Sequence, residues 1–402
     1  MAANVTRRDL LTRGAAAGAL VALGKAPAAA AQAPAPPAGT IANDAVKASK
    51  AAVMQWHSER PLTGSVPAHE HDFDVTPTDR MFVRNNLFMP RIDGATHRVT
   101  LKGLVDREVT FSVDELRARF PVVSFAAMLE CAGSGRTGFN PVPRGTPWLV
   151  TGGMGCPKWT GVRLKDVLAA AGLKPGAAHV AGQGGDFGAL PTMAPVIRSI
   201  PLAKALEEHT LLAFAMNDAP LEPVHGYPLR LLTPGWVGSA STKWLQTLTV
   251  LAEPFQGTYM DDSYRVPRHA VAPGSAMPAD SVPTEAWPVK SMITAPAPDE
   301  RYRVGDTITV RGRAWVGEGR VTRVEISSDE GVTWRRAQLA KPGDKYAWRA
   351  FSFTFRPRQP GYQTFLARAR DDRGNAQPMA TAWNPLGYFW NGVHRIGVAV
   401  DA

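Results

Sequence analysis

Two periodicities share the first two thirds of the chain, and one of them takes over the rest. Val99 to Val105 alternates apolar and polar positions, which predicts a half-buried strand. Ser112 followed three residues later by Glu115 is a capping-box signature and predicts a helix start. Leu164, Val167 and Leu168 recur at helical spacing, as do Leu202, Ala205 and Leu206. The segments Leu229 to Leu232 and Leu245 to Leu251 predict strands again, so residues 55–280 read as an α+β domain.

Seven prolines between Pro267 and Pro298 favour extended chain and mark a domain connection. Beyond it only period two remains. Ile308, Val310 and Gly312 alternate with Thr309, Arg311 and Arg313; Phe351, Phe353 and Phe355 with Ser352, Thr354 and Arg356. Phe365, Ala367 and Ala369 continue the pattern, and the turns Asp329-Glu330-Gly331 and Asp372-Arg373-Gly374 punctuate it. Residues 281–402 therefore predict an all-β sandwich.

Ahead of these domains, Thr6-Arg7-Arg8-Asp9-Leu10-Leu11 precedes a mild apolar stretch and small residues such as Ala31-Gln32-Ala33. Residues 1–33 read as a twin-arginine export signal, and residues 34–54 as a leader whose Ala/Pro-rich part, 34–50, is poorly ordered. That route carries proteins already folded around a cofactor, so the expectation is a bacterial periplasmic protein with a complex cofactor.

Composition narrows the function classes. The 402 residues carry 45 basic and 35 acidic side chains, a net charge of +10. The basic residues are scattered rather than bunched, which argues against nucleic acid and leaves a positive field that suits a small anionic substrate. No apolar run reaches the roughly 18–20 residues of a membrane helix. The two cysteines stand too far apart for a Cys-x-x-Cys-His heme site, and neither a GxGxxG nor an HExxH motif is present.

Cys131 ends an apolar run and opens the Gly-rich turn Ala132-Gly133-Ser134-Gly135, with Arg136 close by to favour a thiolate. A soft thiolate ligand for a metal and an inert buried thiol are equally open readings of that segment. Cys156, ahead of an amphipathic helix, reads as a structural thiol, and a Cys131–Cys156 disulfide stands as the alternative.

Glu130-Cys131-Ala132-Gly133 with Arg136 resembles the cysteine motif of the sulfite oxidase family of molybdenum enzymes, nearest its bacterial periplasmic sulfite dehydrogenases. Phe82-Val83-Arg84-Asn85-Asn86, Trp159-Thr160-Gly161-Val162, His225-Gly226-Tyr227-Pro228-Leu229-Arg230, Ser241-Thr242-Lys243-Trp244 and Trp383-Asn384-Pro385 occur in the family's order. The resemblance implies a molybdopterin-binding domain followed by an Ig-like dimerisation domain, and hence a homodimer. It implies Cys131 as the molybdenum ligand. Phe82, Val83, Arg84, Asn85, Asn86, Asp186, His225, Arg230, Ser241, Thr242 and Lys243 would hold the pyranopterin. Arg84 and Arg136 would face an oxyanion, whose charge and shape guanidinium forks match. Tyr264 would donate to an oxygen on the metal, and Trp148 would line the pocket.

The implied activity is oxidation of sulfite to sulfate, with electrons passed to a separate c-type cytochrome because no heme site or cytochrome b5-like segment accompanies the domain. Asn86 stands where many members carry His, and a third substrate arginine of animal members falls on Leu386. A sulfoxide reductase and a sulfane dehydrogenase of the same fold are the nearer alternatives, and a secreted Ig-like binding protein is the one from another class.

Overall fold

A computed structural model describes residues 38–402, and the export signal expected over 1–33 lies outside them. Strands dominate, and the helices of the first half are few and short. The capping box forms as the sequence predicts: the Ser112 hydroxyl accepts from Glu115 N–H, and the Glu115 carboxylate from Ser112 N–H, starting the helix Val113–Arg119. Leu164–Ala171 buries Leu164, Val167, Leu168 and Ala171 on one face. The helix expected from Leu202 closes after one turn, Leu202–Ala205, because Thr210 turns back onto the Lys204 carbonyl and the strand Leu211–Met216 begins. The first half is thus less evenly mixed than the α+β reading implies.

Its framework is two sheets. One orders Ile197–Pro201, His179–Gly184, Leu245–Leu251, Val99–Gly103 and Val109–Phe111, with the third and fourth running parallel. The other orders Ala219–Pro220, Leu211–Met216, Lys158–Arg163 and Val122–Ala126, with Arg230–Leu232 also paired to Leu211–Met216. Alternate residues of both sheets and the helix Leu164–Ala171 share one core around Leu101, Leu168, Val180, Leu212 and Leu248. A smaller sheet of Gln55–Glu59, Leu62–Ser65 and Val83–Arg84 brings Arg84 and its neighbours to the edge of this framework.

The C-terminal half is two facing sheets. Lys290–Ala295, Ile308–Trp315, Arg349–Phe355 and Gln338–Leu339 form one; Arg301–Arg303, His394–Asp401, Gly361–Asp371, Val321–Ser327 and Arg335–Arg336 form the other. Val310, Phe351, Phe353, Phe365, Ala367 and Ala369, alternating positions that predicted the strands, fill the space between them together with Val398.

The segment expected to be a loose leader is, from Gly39 on, folded against the body. Ile41 N–H donates to the Met89 carbonyl at 3.0 Å, Asn43–Ala48 forms a helix that buries Val46, and Ala51 N–H donates to the Asp79 carbonyl at 3.1 Å. No helix among the described residues is long and apolar enough to cross a membrane.

Candidate active site

Cys131 is placed by a turn that needs its glycines. It follows the short strand Leu129–Glu130, donates its N–H to the Gly153 carbonyl at 2.9 Å and accepts from Ser134 N–H at 2.8 Å. A Cβ on Gly133 would come within 2.7 Å of Arg136 Nη2. Gly135 sits at φ +86°, where a Cβ would meet Trp390 at 2.8 Å. The residue before the cysteine anchors the strand. Glu130 Oε1 lies 2.8 Å from Lys290 Nζ, Trp315 Nε1 donates to Oε2 at 2.7 Å, and both charged side chains are buried.

The thiol stands on the wall of a cavity holding about 760 Å³ of space not filled by atoms, part of it open to solvent. Phe82, Arg84, Asn85 and Asn86 reach it from the small sheet, and Asp186 from the end of His179–Gly184. His225 and Arg230 come from a turn and the strand after it, and Ser241, Thr242 and Lys243 from the turn before Leu245–Leu251. Tyr264 completes the set from the segment beyond that strand. Ser239 and Met81, which belong to none of the motifs, and Trp244, which ends the Ser241–Trp244 block, also line the cavity.

One end of the cavity is strongly basic. Arg230 donates to the His225 carbonyl at 2.9 Å and the Ser241 carbonyl at 3.2 Å, but its Nε is buried without a partner; burial pulls the guanidinium down to about 9. Lys243 donates to Asn85 Oδ1, to the Arg84 carbonyl at 3.1 Å and to the Val224 carbonyl at 2.9 Å. Burial first, then Arg230, holds Lys243 well below the usual lysine range. Asp186 is pushed up to about 6 by burial, against the pull of Lys243. Ser239 Oγ is a further buried group without a partner. Buried cations and an unpartnered donor around one cavity suit a phosphate, since each would otherwise carry an uncompensated desolvation cost.

Arg84 belongs to the same wall. Its Nη2 donates to Asn86 Oδ1 at 2.8 Å, whereas Nη1 is buried without a partner. Asn86 Nδ2 donates in turn to the Tyr264 hydroxyl at 3.0 Å. Tyr264 takes a left-handed backbone, φ +56°, and its ring lies in a pile. The Arg198 guanidinium is 5.0 Å from its centroid, and Tyr388 stacks on it at 5.6 Å. Arg198 is buried with Nε unpartnered and was not singled out from sequence, because a lone arginine in a strand carries no motif.

Three expected site residues sit elsewhere. Arg136, expected to face an oxyanion, donates Nε and Nη2 to the Leu386 carbonyl at 3.1 and 2.8 Å and Nη1 to the Thr146 carbonyl at 2.8 Å. Its guanidinium is thus satisfied by backbone and is absent from the cavity wall. Trp148 is fully buried behind the wall, packing edge-on against Phe82 at 6.0 Å. Val83 alternates away from its neighbours into a core with Val46 and Leu62. Both cysteines are free, so the alternative disulfide is not made. Burial pushes the Cys156 thiol up to about 12, which leaves Cys131 as the candidate ligand.

Among the described residues, no group of three or more His, Cys, Asp or Glu side chains gathers to hold a metal ion. A metal at Cys131 would therefore draw its other ligands from a cofactor, and the basic end of the cavity fits the phosphate of a pyranopterin.

Comparison with known proteins gives the same picture. A family described as the oxidoreductase molybdopterin binding domain matches residues 86–259, and the Mo-co oxidoreductase dimerisation domain matches 282–401. Sulfite oxidase of Gallus gallus is 33% identical over 358 residues, covering 85% of this chain and 77% of that protein. Mitochondrial sulfite oxidase of Homo sapiens is 35% identical over 366 residues, 87% of this chain and 66% of that protein. The crystal structure of the sulfane dehydrogenase SoxCD from Paracoccus pantotrophus superposes with a TM-score of 0.74 at 25% identity, covering 94% of this chain and 95% of that one.

Proposed function

The chain belongs to the sulfite oxidase family and is a molybdopterin-dependent oxidoreductase, and from that premise we propose that it oxidises sulfite to sulfate in the bacterial periplasm, passing the electrons to a separate c-type cytochrome. Sulfite and water give sulfate, two protons and two electrons, and the acceptor takes the electrons one at a time. The twin-arginine segment supports the location, and the match of residues 282–401 to a dimerisation domain supports a homodimer built through the Ig-like half.

When bound, the molybdenum cofactor supplies the two-electron chemistry. The chain's own residues bind and orient. Cys131 would ligate the metal, and Arg230, Lys243, Ser241 and Ser239 would hold the phosphate end. Arg84 carries the substrate reading: it lines the wall that Cys131 shares, and its buried Nη1 has no partner among the described residues, a site for one oxygen of a small oxyanion. The other guanidinium nitrogen is held by Asn86, which also fixes the Tyr264 hydroxyl, so oxyanion donor and phenol move as one unit.

A second reading is favoured by Arg136, whose engagement with Leu386 and Thr146 leaves the wall less cationic than a sulfite site with two arginines. That wall would suit a sulfane sulfur substrate, the chemistry named for the structural neighbour. Purified protein of verified molybdenum content should reduce ferricyanide when given sulfite. Reduction with a protein-bound sulfane but not with sulfite would transfer the assignment to the second reading, and turnover of methyl sulfoxides with a reduced dye would overturn both.

A further inference from the structure

Lys50, in the N-terminal arm, is fully withdrawn from solvent, and its ammonium meets three acceptors. Nζ lies 2.9 Å from the Thr78 carbonyl, 2.5 Å from Glu222 Oε2 and 2.8 Å from His225 Nε2. An ammonium has three N–H groups and no lone pair, so all three contacts use its hydrogens. His225 Nε2 must then be the accepting nitrogen, and its ring proton sits on Nδ1. A proton on Nε2 would instead point an N–H at an ammonium hydrogen across 2.8 Å; the Glu222 carboxylate is farther, at 3.5 Å.

The surroundings keep the ring neutral. His225 is buried, with Lys50, Lys243 and Arg230 all adding positive charge around it, so it stays well below the usual histidine range. Its carbonyl is taken by Arg230, and the side chain forms part of the cavity wall. Nδ1–H is consequently the one donor the ring has left.

We propose that Lys50 is a positioning residue that fixes His225 as the Nδ1–H tautomer, a neutral donor at the phosphate end of the cofactor cavity. The inference rests on the molybdopterin reading of that cavity. It gives the arm a role that its Ala/Pro-rich composition hides. Thr78, Glu222 and His225 come from two separate turns, and Lys50 ties the arm to both. A donor that cannot ionise adds a hydrogen bond without adding to the repulsion among Arg230 and Lys243.

The test uses the holoprotein labelled with ¹⁵N-histidine. His225 is assigned by the signal lost in His225→Asn, and tautomers are read from the ring nitrogen shifts between pH 6 and 8. The wild type should show His225 with Nδ1 protonated and Nε2 unprotonated throughout, and Lys50→Met should lose that fixed pattern. In parallel, the pterin released over time is measured as its fluorescent oxidation product. Lys50→Met should release it about tenfold faster or more, with partial restoration in Lys50→Arg.

Nε2 protonated in the wild type would overturn the proposal whether or not Lys50→Met folds. An unchanged tautomer together with unchanged release in Lys50→Met would also overturn it. A wild type that holds no pterin would overturn the cofactor reading beneath it, an outcome the pterin assay separates from failure of the tautomer alone.

Discussion

Arg84 and Arg136 are the same residue type in neighbouring parts of the fold, and their partners set them apart. Arg136 has found carbonyl acceptors for all three of its nitrogens, whereas Arg84 Nη1 has none. A buried, unpaired guanidinium nitrogen is costly unless something supplies an acceptor, and the proposed sulfite substrate is the group that would. Replacing Arg84 by Met should therefore raise KM for sulfite by about 10–100-fold, the worth of one hydrogen bond to a charged group. Arg136→Met should act mainly through stability, since it strips donors from Leu386 and Thr146. Steady-state kinetics and a melting curve on each variant check the division; a KM effect confined to Arg136→Met would reverse it.

Strands and turns carry the coupling between halves. Glu130 immediately precedes Cys131, the proposed ligand, and its carboxylate is held by Lys290 from the strand Lys290–Ala295 and by Trp315. Lys290 is enclosed by Trp287, Trp315 and Trp390, at 5.3, 5.8 and 5.2 Å from the ring centroids. Removing the lysine leaves a buried carboxylate without its cation, so Lys290→Met should cost about 3–5 kcal/mol. Lys290→Met combined with Glu130→Gln should recover part of that loss. Denaturant titration measures both, and equal stability of single and double variants would show that the pair is not coupled.

This scale also shows what was legible in the sequence. The helix Leu164–Ala171, the capping box and the strands of the C-terminal half follow from local spacing, because each needs only its own residues to define a buried face. Most of the polar residues of the cavity wall were legible through motifs, but Ser239 was not. Where Arg136 points was not, because its acceptor on Leu386 is 250 positions away. Lys50 and Lys290 escaped for the same reason: a lysine among alanines or prolines reads as solvated until a remote carboxylate meets it.

At the scale of the whole molecule, pH should reveal the buried histidines. His71 has both ring nitrogens buried without partners, and burial followed by Arg80 and Arg313 holds it at about 3. His394 accepts the Ile293 N–H on Nδ1 and is held at about 4 by burial and Lys290. In the unfolded chain both would titrate near the ordinary value of about 6.5. Their contribution to stability is therefore intact above that pH and is lost as pH falls, by about 1.4 kcal/mol per unit for each, until the folded forms protonate. Asp186, raised to about 6, and Glu285, raised by burial, work in the opposite sense over part of the range. The melting temperature should fall from pH 6.5 towards 4, and His71→Phe should flatten that limb. An acid limb identical in the two proteins would show that His71 does not contribute.

The central claim is that Cys131 is the protein's bond to a sulfite-oxidising molybdenum centre. It is tested most directly by following sulfite-dependent ferricyanide reduction in wild type, Cys131→Ser and Cys156→Ser side by side, each with its molybdenum and pterin content determined. Turnover in the wild type, its loss in Cys131→Ser with pterin still bound, and its survival in Cys156→Ser is the predicted result. Equal loss in both variants, or full activity in Cys131→Ser, would contradict it.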